Sequence, residues 1–245
     1  MKIEKNFIIE NFKSLFYAFI IAIIIRSLFF QPFYIPSSSM EPNLLVGDRI
    51  FVSKYSFGYS KHSFPFSPPI FNGRIFSSKP NRGDVVVFKT PSDNRTDYIK
   101  RLIGLPGDVI QFINGDLYIN NAQILKSIKS STDIIYCGNK AISVNTFQEI
   151  LPNNKKHLSV YSNEYSYQNS DKFIVPLKHY FFLGDNRDCS KDSRYLGSVG
   201  YVHENNLVGK AQIIFFSSNY MEGSVLKFWR WNKSIRLNRF FKSIN

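Results

Sequence analysis

The chain has 245 residues, 44% of them hydrophobic, with 31 Lys and Arg against 18 Asp and Glu, and two Cys. That length supplies one sizeable domain or two small ones with ample core, and the apolar content excludes a wholly disordered chain. Two cysteines exclude a disulfide-stapled miniprotein and a four-cysteine zinc module, while the formal charge of +13 points to an acidic partner such as nucleic acid or anionic lipid.

The first predicted element is Leu15 to Tyr34, LFYAFIIAIIIRSLFFQPFY, with Arg26 as its only charge. Twenty apolar residues suffice to cross a bilayer, and an arginine near one end can snorkel to the interface. Lys13 marks one end and Pro32 stops the helix at the other, with Phe29, Phe30, Phe33 and Tyr34 placed for an interface. A cleaved signal peptide is the alternative, since Leu15–Ile25 has the length of its apolar core and Ser37–Ser39 are small enough for a cleavage site. Three lysines precede the segment and only Arg49 and Lys54 lie in the 20 residues after it, which predicts a cytoplasmic N-terminus and an exported body.

After Pro36 the pattern turns to strands. Asp48–Lys54 alternates apolar and polar residues, and Asp84–Lys89 is a β-branched run opened by Arg82-Gly83. Val109–Ile113, Asn114-Gly115-Asp116 and Leu117–Ile119 read as a hairpin, because Asn-Gly supplies the positive φ angles of a tight turn. Residues 55–81 read as a long loop or flap. Residues 120–180 are polar with weak periodicity and suit a smaller, variable subdomain. A late strand covers Val208–Phe216.

The charge is densest in the tail, where Lys227, Arg230, Lys233, Arg236, Arg239 and Lys242 face Glu222 alone, a net +5. Phe228, Trp231, Ile235, Leu237, Phe240, Phe241 and Ile244 recur there at helical spacing. A basic amphipathic helix on a membrane surface and a C-terminal segment packed on the body are both open readings.

Four segments carry chemistry: Ile35-Pro-Ser-Ser-Ser-Met-Glu-Pro42 followed by Leu45-Val-Gly-Asp48; Arg82-Gly-Asp-Val-Val-Val-Phe88; Asp97-Tyr-Ile-Lys-Arg-Leu-Ile-Gly-Leu-Pro-Gly-Asp108; and Gly184-Asp-Asn-Arg-Asp-Cys-Ser-Lys-Asp-Ser-Arg194. In this order and directly after an apolar anchor, the set resembles type I bacterial signal peptidase, over roughly residues 14–120 and 180–216. Each motif alone is weak and the ordered set is specific.

The resemblance implies the following roles. Ser39 matches the nucleophile and Lys100 the general base. Ser37 matches the hydroxyl that forms the oxyanion hole with the backbone N–H of Ser39, and Ser190 the serine that orients the lysine. Asp192 and Arg194 match the supporting ion pair. Ile35, Pro36, Met40, Tyr98 and Ile99 would line the substrate pockets. Ser38 stands where relatives often have Gly. Cleavage at Ser37–Ser39 would destroy the motif, so the anchor is expected to stay. No metal and no cofactor is expected; Arg187, Lys191 and Arg194 oppose a calcium loop built on Asp185, Asp188 and Asp192.

The implied chemistry is physically coherent. A serine hydroxyl needs a base to take its proton, and a lysine becomes one only when burial disfavours its ammonium. Tyr98, Ile99, Leu102 and Ile103 are suitable neighbours. Cys137 and Cys189 could pair if exported or remain free thiols.

The expected fold is mostly β, a twisted antiparallel catalytic body with an inserted β subdomain behind one transmembrane helix. The expected division is 1–14 cytoplasmic tail, 15–34 anchor, 35–108 with 181–217 catalytic domain, 109–180 insertion and 218–245 basic amphipathic tail. The implied function is membrane-bound cleavage of signal peptides from exported preproteins after small residues, of Ala-x-Ala type. The site would face the outer side of the bacterial cytoplasmic membrane, with signal peptides and the bilayer as partners and no nucleic acid. The rivals are a self-cleaving Ser/Lys repressor, which requires an N-terminal DNA-binding domain, and a membrane-tethered basic β-module that binds an anionic polymer.

Overall fold

The computed structural model describes residues 2–69, 71–164, 166–219, 229 and 231–244. It opens with helix α1, Lys2–Ile24, which runs into one wider turn, Ile25–Phe29. The stretch Ile9–Phe29 is long and apolar enough to cross a membrane; at 1.5 Å per residue it spans roughly 30 Å, the thickness of the hydrocarbon layer.

The helix ends earlier than the 15–34 anchor read from sequence. Phe30–Tyr34 form strand β1, because Pro32 cannot continue a helix and the following residues find a partner in β2, Asp48–Ser53. The main sheet is antiparallel. Its order is β1, β2, β14 (Leu207–Ser217), β3 (Val85–Lys89), β4 (Asp97–Gly104), β12 (His179–Leu183) and β13 (Val202–His203), with β15 (Lys242–Ser243) also paired to β14. Strand β3 is buried on both faces. Val85 and Val87 pack with Ile35, Ile50 and Ile214, while Val86 and Phe88 pack with Leu102 and Phe182. That double burial explains a continuous apolar run in place of alternation.

The insertion holds two smaller sheets. Hairpin β5–β6, Val109–Ile113 and Asp116–Ile119, carries β7 (Ala122–Gln123) and β11 (Phe173–Ile174) on its edges. Its turn puts Asn114 at φ 51° and Gly115 at φ 79°, as Asn-Gly predicts. The second sheet joins β8 (Leu125–Cys137), β9 (Lys140–Ile150) and β10 (Lys156–Ser162). The 55–81 flap forms one isolated bridge, Tyr59 to Ile75, and Arg74 donates to the carbonyls of Phe57, Gly58, Glu204 and Leu207 to tie it down.

The tail is not one amphipathic helix. Its described part is a short helix α2, Trp231–Ser234, a 3₁₀ turn at Leu237–Arg239, and β15. The aromatic spacing that resembled a helix serves packing on the body. Phe240 lies 5.3 Å from Phe216, Ile244 enters the core, and Arg239 forms a buried ion pair with Asp48 at 2.6 Å. Residues 220–228 lie outside the described range.

Candidate active site

Ser39 sits in a 3₁₀ turn, Ser38–Met40, that follows β1. Met40 and Leu44 plug the core beneath the turn and fix its height. Lys100 lies on β4 opposite Val86, in the part of the sheet where neighbouring side chains are apolar. The two elements meet. Lys100 Nζ stands 2.6 Å from Ser39 Oγ and 3.1 Å from the Ile99 carbonyl, and the lysine is 3% exposed. Burial lowers its pKa to about 8, against a smaller opposing pull from Asp192 and Asp185. Desolvation disfavours the ammonium, so an appreciable fraction of neutral amine is present near neutral pH.

Ser37 is exposed at the rim, with Oγ 3.4 Å from Ser39 Oγ. Ser190 is buried and makes no well-aligned hydrogen bond among the described residues, although it helps hold the Asp192 carboxyl in its charged form. It packs against Gly184. A Cβ at 184 would lie 2.2 Å from Ser190 Oγ and 2.5 Å from the Ser39 carbonyl, so only glycine permits this approach.

Asp192 and Arg194 pair through Nε at 2.8 Å and Nη2 at 2.9 Å, and Asp192 also accepts from the Gly184 N–H at 3.0 Å. Burial raises the Asp192 pKa, but Arg194 and these hydrogen bonds outweigh it and hold the pKa below its usual value. Among the residues expected to line pockets, Pro36 is exposed and Tyr98 and Ile99 are half-buried. Ile35 and Met40 are buried in the core cluster with Leu44, Ile50 and Val52.

Several residues of this site escape sequence reasoning. Arg101 makes a bidentate pair with Asp185 at 2.7 and 2.8 Å, and Asn43 donates to the same carboxylate at 2.7 Å. Asn186 donates through its backbone to the Ser39 carbonyl and through Nδ2 to the Ser38 carbonyl, at 3.1 and 3.2 Å. It thus holds the serine turn at two successive carbonyls. Arg187 pairs with Glu149 of β9 at 2.6 and 2.8 Å. Cys137 and Cys189 are joined in a disulfide. Charged residues beside Lys100 and Gly184 were the available signal; their partners are distant in sequence. The three aspartates considered for calcium are otherwise engaged. Asp185 pairs with Arg101, Asp188 accepts from the N–H groups of Ser162 and Tyr167, and Asp192 pairs with Arg194.

A serine hydroxyl lies against a buried amine on an antiparallel β body behind an apolar N-terminal helix, and the comparisons with known proteins make the class that of a serine protease. A sequence profile described as "Signal peptidase, peptidase S26" matches residues 8–216. Signal peptidase I of Rickettsia typhi is 42% identical over 96% of this chain and 93% of its own length. The Rickettsia conorii signal peptidase I is 41% identical over 96% and 92%. A solved signal peptidase I from Enterococcus faecalis shares 29% identity, covering 54% of this chain and 97% of that one, at a TM-score of 0.34. The chain belongs to the signal peptidase family, peptidase S26.

Proposed function

We propose that this chain is a membrane-bound endopeptidase that removes N-terminal signal peptides from exported preproteins, cutting after small residues of Ala-x-Ala type with a Ser39–Lys100 dyad. The observation that carries the reading is the 2.6 Å approach of Lys100 Nζ to Ser39 Oγ in a buried setting. Neutral Lys100 takes the Ser39 proton as the hydroxyl attacks the scissile carbonyl. The oxyanion forms between Ser37 Oγ and the Ser39 N–H, an arrangement in which one donor contributes on the order of 3 kcal/mol. The lysine then protonates the leaving amine, and a water activated by the same lysine hydrolyses the acyl-enzyme.

Two sheet edges support the substrate pose. Among the described residues β1 pairs only with β2, and in β4 the residues Asp97–Lys100 pair only with β3, since β12 joins from Arg101 onward. An extended peptide laid between them gains main-chain hydrogen bonds on both sides. The preference for small side chains next to the cut is part of this reading and rests on the family match. The apolar N-terminal helix and the three lysines that precede its apolar core support a body on the outer side of the cytoplasmic membrane, where signal peptides emerge.

The test is cleavage of a preprotein in detergent by the full chain. Ser39→Ala and Lys100→Met are expected to lose activity by at least about a thousandfold. The wild-type rate should rise with pH up to about 8, as the lysine loses its proton. Near-wild-type turnover by either variant would sink the assignment.

A further inference from the structure

A cavity of about 760 Å³ lies beside α1, and neither Ser39 nor Lys100 lines it. One wall is a face of α1, where Phe19, Ala22 and Ile23 follow i, i+3, i+4, and it is continued by Arg26 in the wider turn that follows. The opposite wall is the loop 62–67, including Phe64 and a fully exposed Phe66, and the β3–β4 turn with Lys89, Arg95 and Asp97.

The polar and apolar parts of this cavity are separated by depth. Arg26 is three residues from the end of the apolar stretch Ile9–Phe29, so its Cα lies about 5 Å from that end and its head reaches the interface. Phe19 and Ile23 lie one to two turns deeper, at the level of acyl chains. At the upper end three cations face one carboxylate, a net +2. Lys89 uses that carboxylate, pairing with Asp97 at 2.9 Å. Arg26 and Arg95 make no ion pair among the described residues. A fourth cation stands behind the loop, where buried Lys54 donates to the His62 and Ser63 carbonyls at 3.5 and 3.2 Å.

The matching ligand has an anion at the interface and an apolar chain below it. We propose that this cavity binds one anionic phospholipid, with its phosphate between Arg26 and Arg95 and an acyl chain along Phe19 and Ile23. Free phosphate leaves the apolar wall uncovered, and a neutral apolar peptide offers no anion to the arginines. The site adjoins the cleft, since Phe33 of β1 lines it two residues before Ile35 and Asp97 lies three residues before Lys100. A bound lipid therefore couples α1, the flap and β1, and sets the height of the cleft over the bilayer. The inference concerns binding and stands independently of the dyad.

The experiment is native mass spectrometry of the full chain released from phosphatidylcholine nanodiscs doped with phosphatidylglycerol. The wild type should retain one phosphatidylglycerol in preference to phosphatidylcholine. At about 1 kcal/mol per interfacial arginine, Arg26→Gln with Arg95→Gln should weaken that retention roughly thirtyfold. Arg95→Gln alone, on an exposed turn, should weaken it about fivefold without risk to the fold. Preprotein cleavage in detergent free of anionic lipid should be unchanged in both variants. Equal retention by wild type and variants, or no preference over phosphatidylcholine, overturns the proposal. So does displacement of the lipid by inorganic phosphate at comparable concentration, which would make this a phosphate site. Displacement by an uncharged signal-peptide fragment would assign the cavity to the substrate path and overturn it as well.

Discussion

Two polar regions of this molecule behave in opposite ways. Most of the loop Gly184–Arg194 is buried, and the charges of Asp185, Arg187, Asp192 and Arg194 are satisfied within a few ångströms by Arg101, Glu149 and one another, with Lys191 left exposed. The β8–β9 ribbon is as polar, yet Leu125, Ile128, Ile134 and Tyr136 on β8 are exposed. Only a small cluster of Ile142, Val144 and Val160 is dry. The regions touch along β10. Val160 N–H donates to the Asp185 carbonyl and Arg187 N–H to the Val160 carbonyl, at 2.9 and 3.0 Å. Glu149 of the ribbon and Tyr161 and His157 of β10 surround the Arg187 guanidinium, and the disulfide fastens the ribbon beside Ser190. The ribbon has little core of its own and acts as a brace for the site loop.

The largest effect should come from cutting that brace at its buried charge. Glu149→Ala leaves Arg187 buried without its carboxylate and the Tyr161 O–H without its acceptor, although that oxygen still accepts from Arg187. Removing one partner of a buried pair typically costs about 3–5 kcal/mol. Thermal unfolding should register most of this, and Glu149→Gln, which keeps the hydrogen-bond acceptor, should recover part. An unchanged melting temperature for Glu149→Ala would mean that the ribbon does not support the loop.

The second cut is covalent. Cys137→Ser with Cys189→Ser opens a bridge across 52 residues of sequence, and loss of such a link typically costs about 2–4 kcal/mol. If the ribbon is a brace, turnover should fall along with stability, because Cys189 is adjacent to Ser190 and its N–H donates to the Asn186 side chain. Reducing agent applied to the wild type should reproduce both changes. A fall in melting temperature with full turnover would make the bridge a staple for the ribbon alone.

The same contrast explains what was legible beforehand. Strand β3 and the β5–β6 hairpin were readable because burial on both faces and an Asn-Gly turn leave local marks. The ordered motifs placed Ser39, Lys100 and Asp192 in one region. The ribbon was opaque because β8 is held by ladder hydrogen bonds and a few contacts with no buried residue, and β9 alternates only over the short stretch Ile142–Thr146. Arg101–Asp185 and Arg187–Glu149 were hidden for a different reason. Their partners are 84 and 38 residues apart, and pairing of that kind is a property of the fold. The tail misled because apolar spacing records which residues are buried and not whether a helix buries them; Phe240 and Ile244 reach the body from a 3₁₀ turn and a short strand.

The smallest predicted effect has the opposite sign and belongs to the site itself. Burial holds the Lys100 amine at about 8, below the 10.5 of an unperturbed lysine. Between those values the unfolded chain carries a proton that the folded chain has released. Stability contributed by this group therefore rises with pH from about 8 to about 10.5 and is lowest below 8. Lys100→Met removes the amine and keeps most of the side-chain volume. At pH 7 it should stabilise the protein by on the order of 1–3 kcal/mol, after allowing for the lost hydrogen bond to Ser39. The gain should shrink as pH rises and vanish near 10.5, a pH signature that a general packing improvement would not produce. Arg187 is buried as deeply, but its Glu149 partner offsets that burial, so the same experiment on the brace runs the other way. A Lys100→Met variant that is less stable at pH 7, or a gain independent of pH, would show that burying this amine does not come at the expense of the fold.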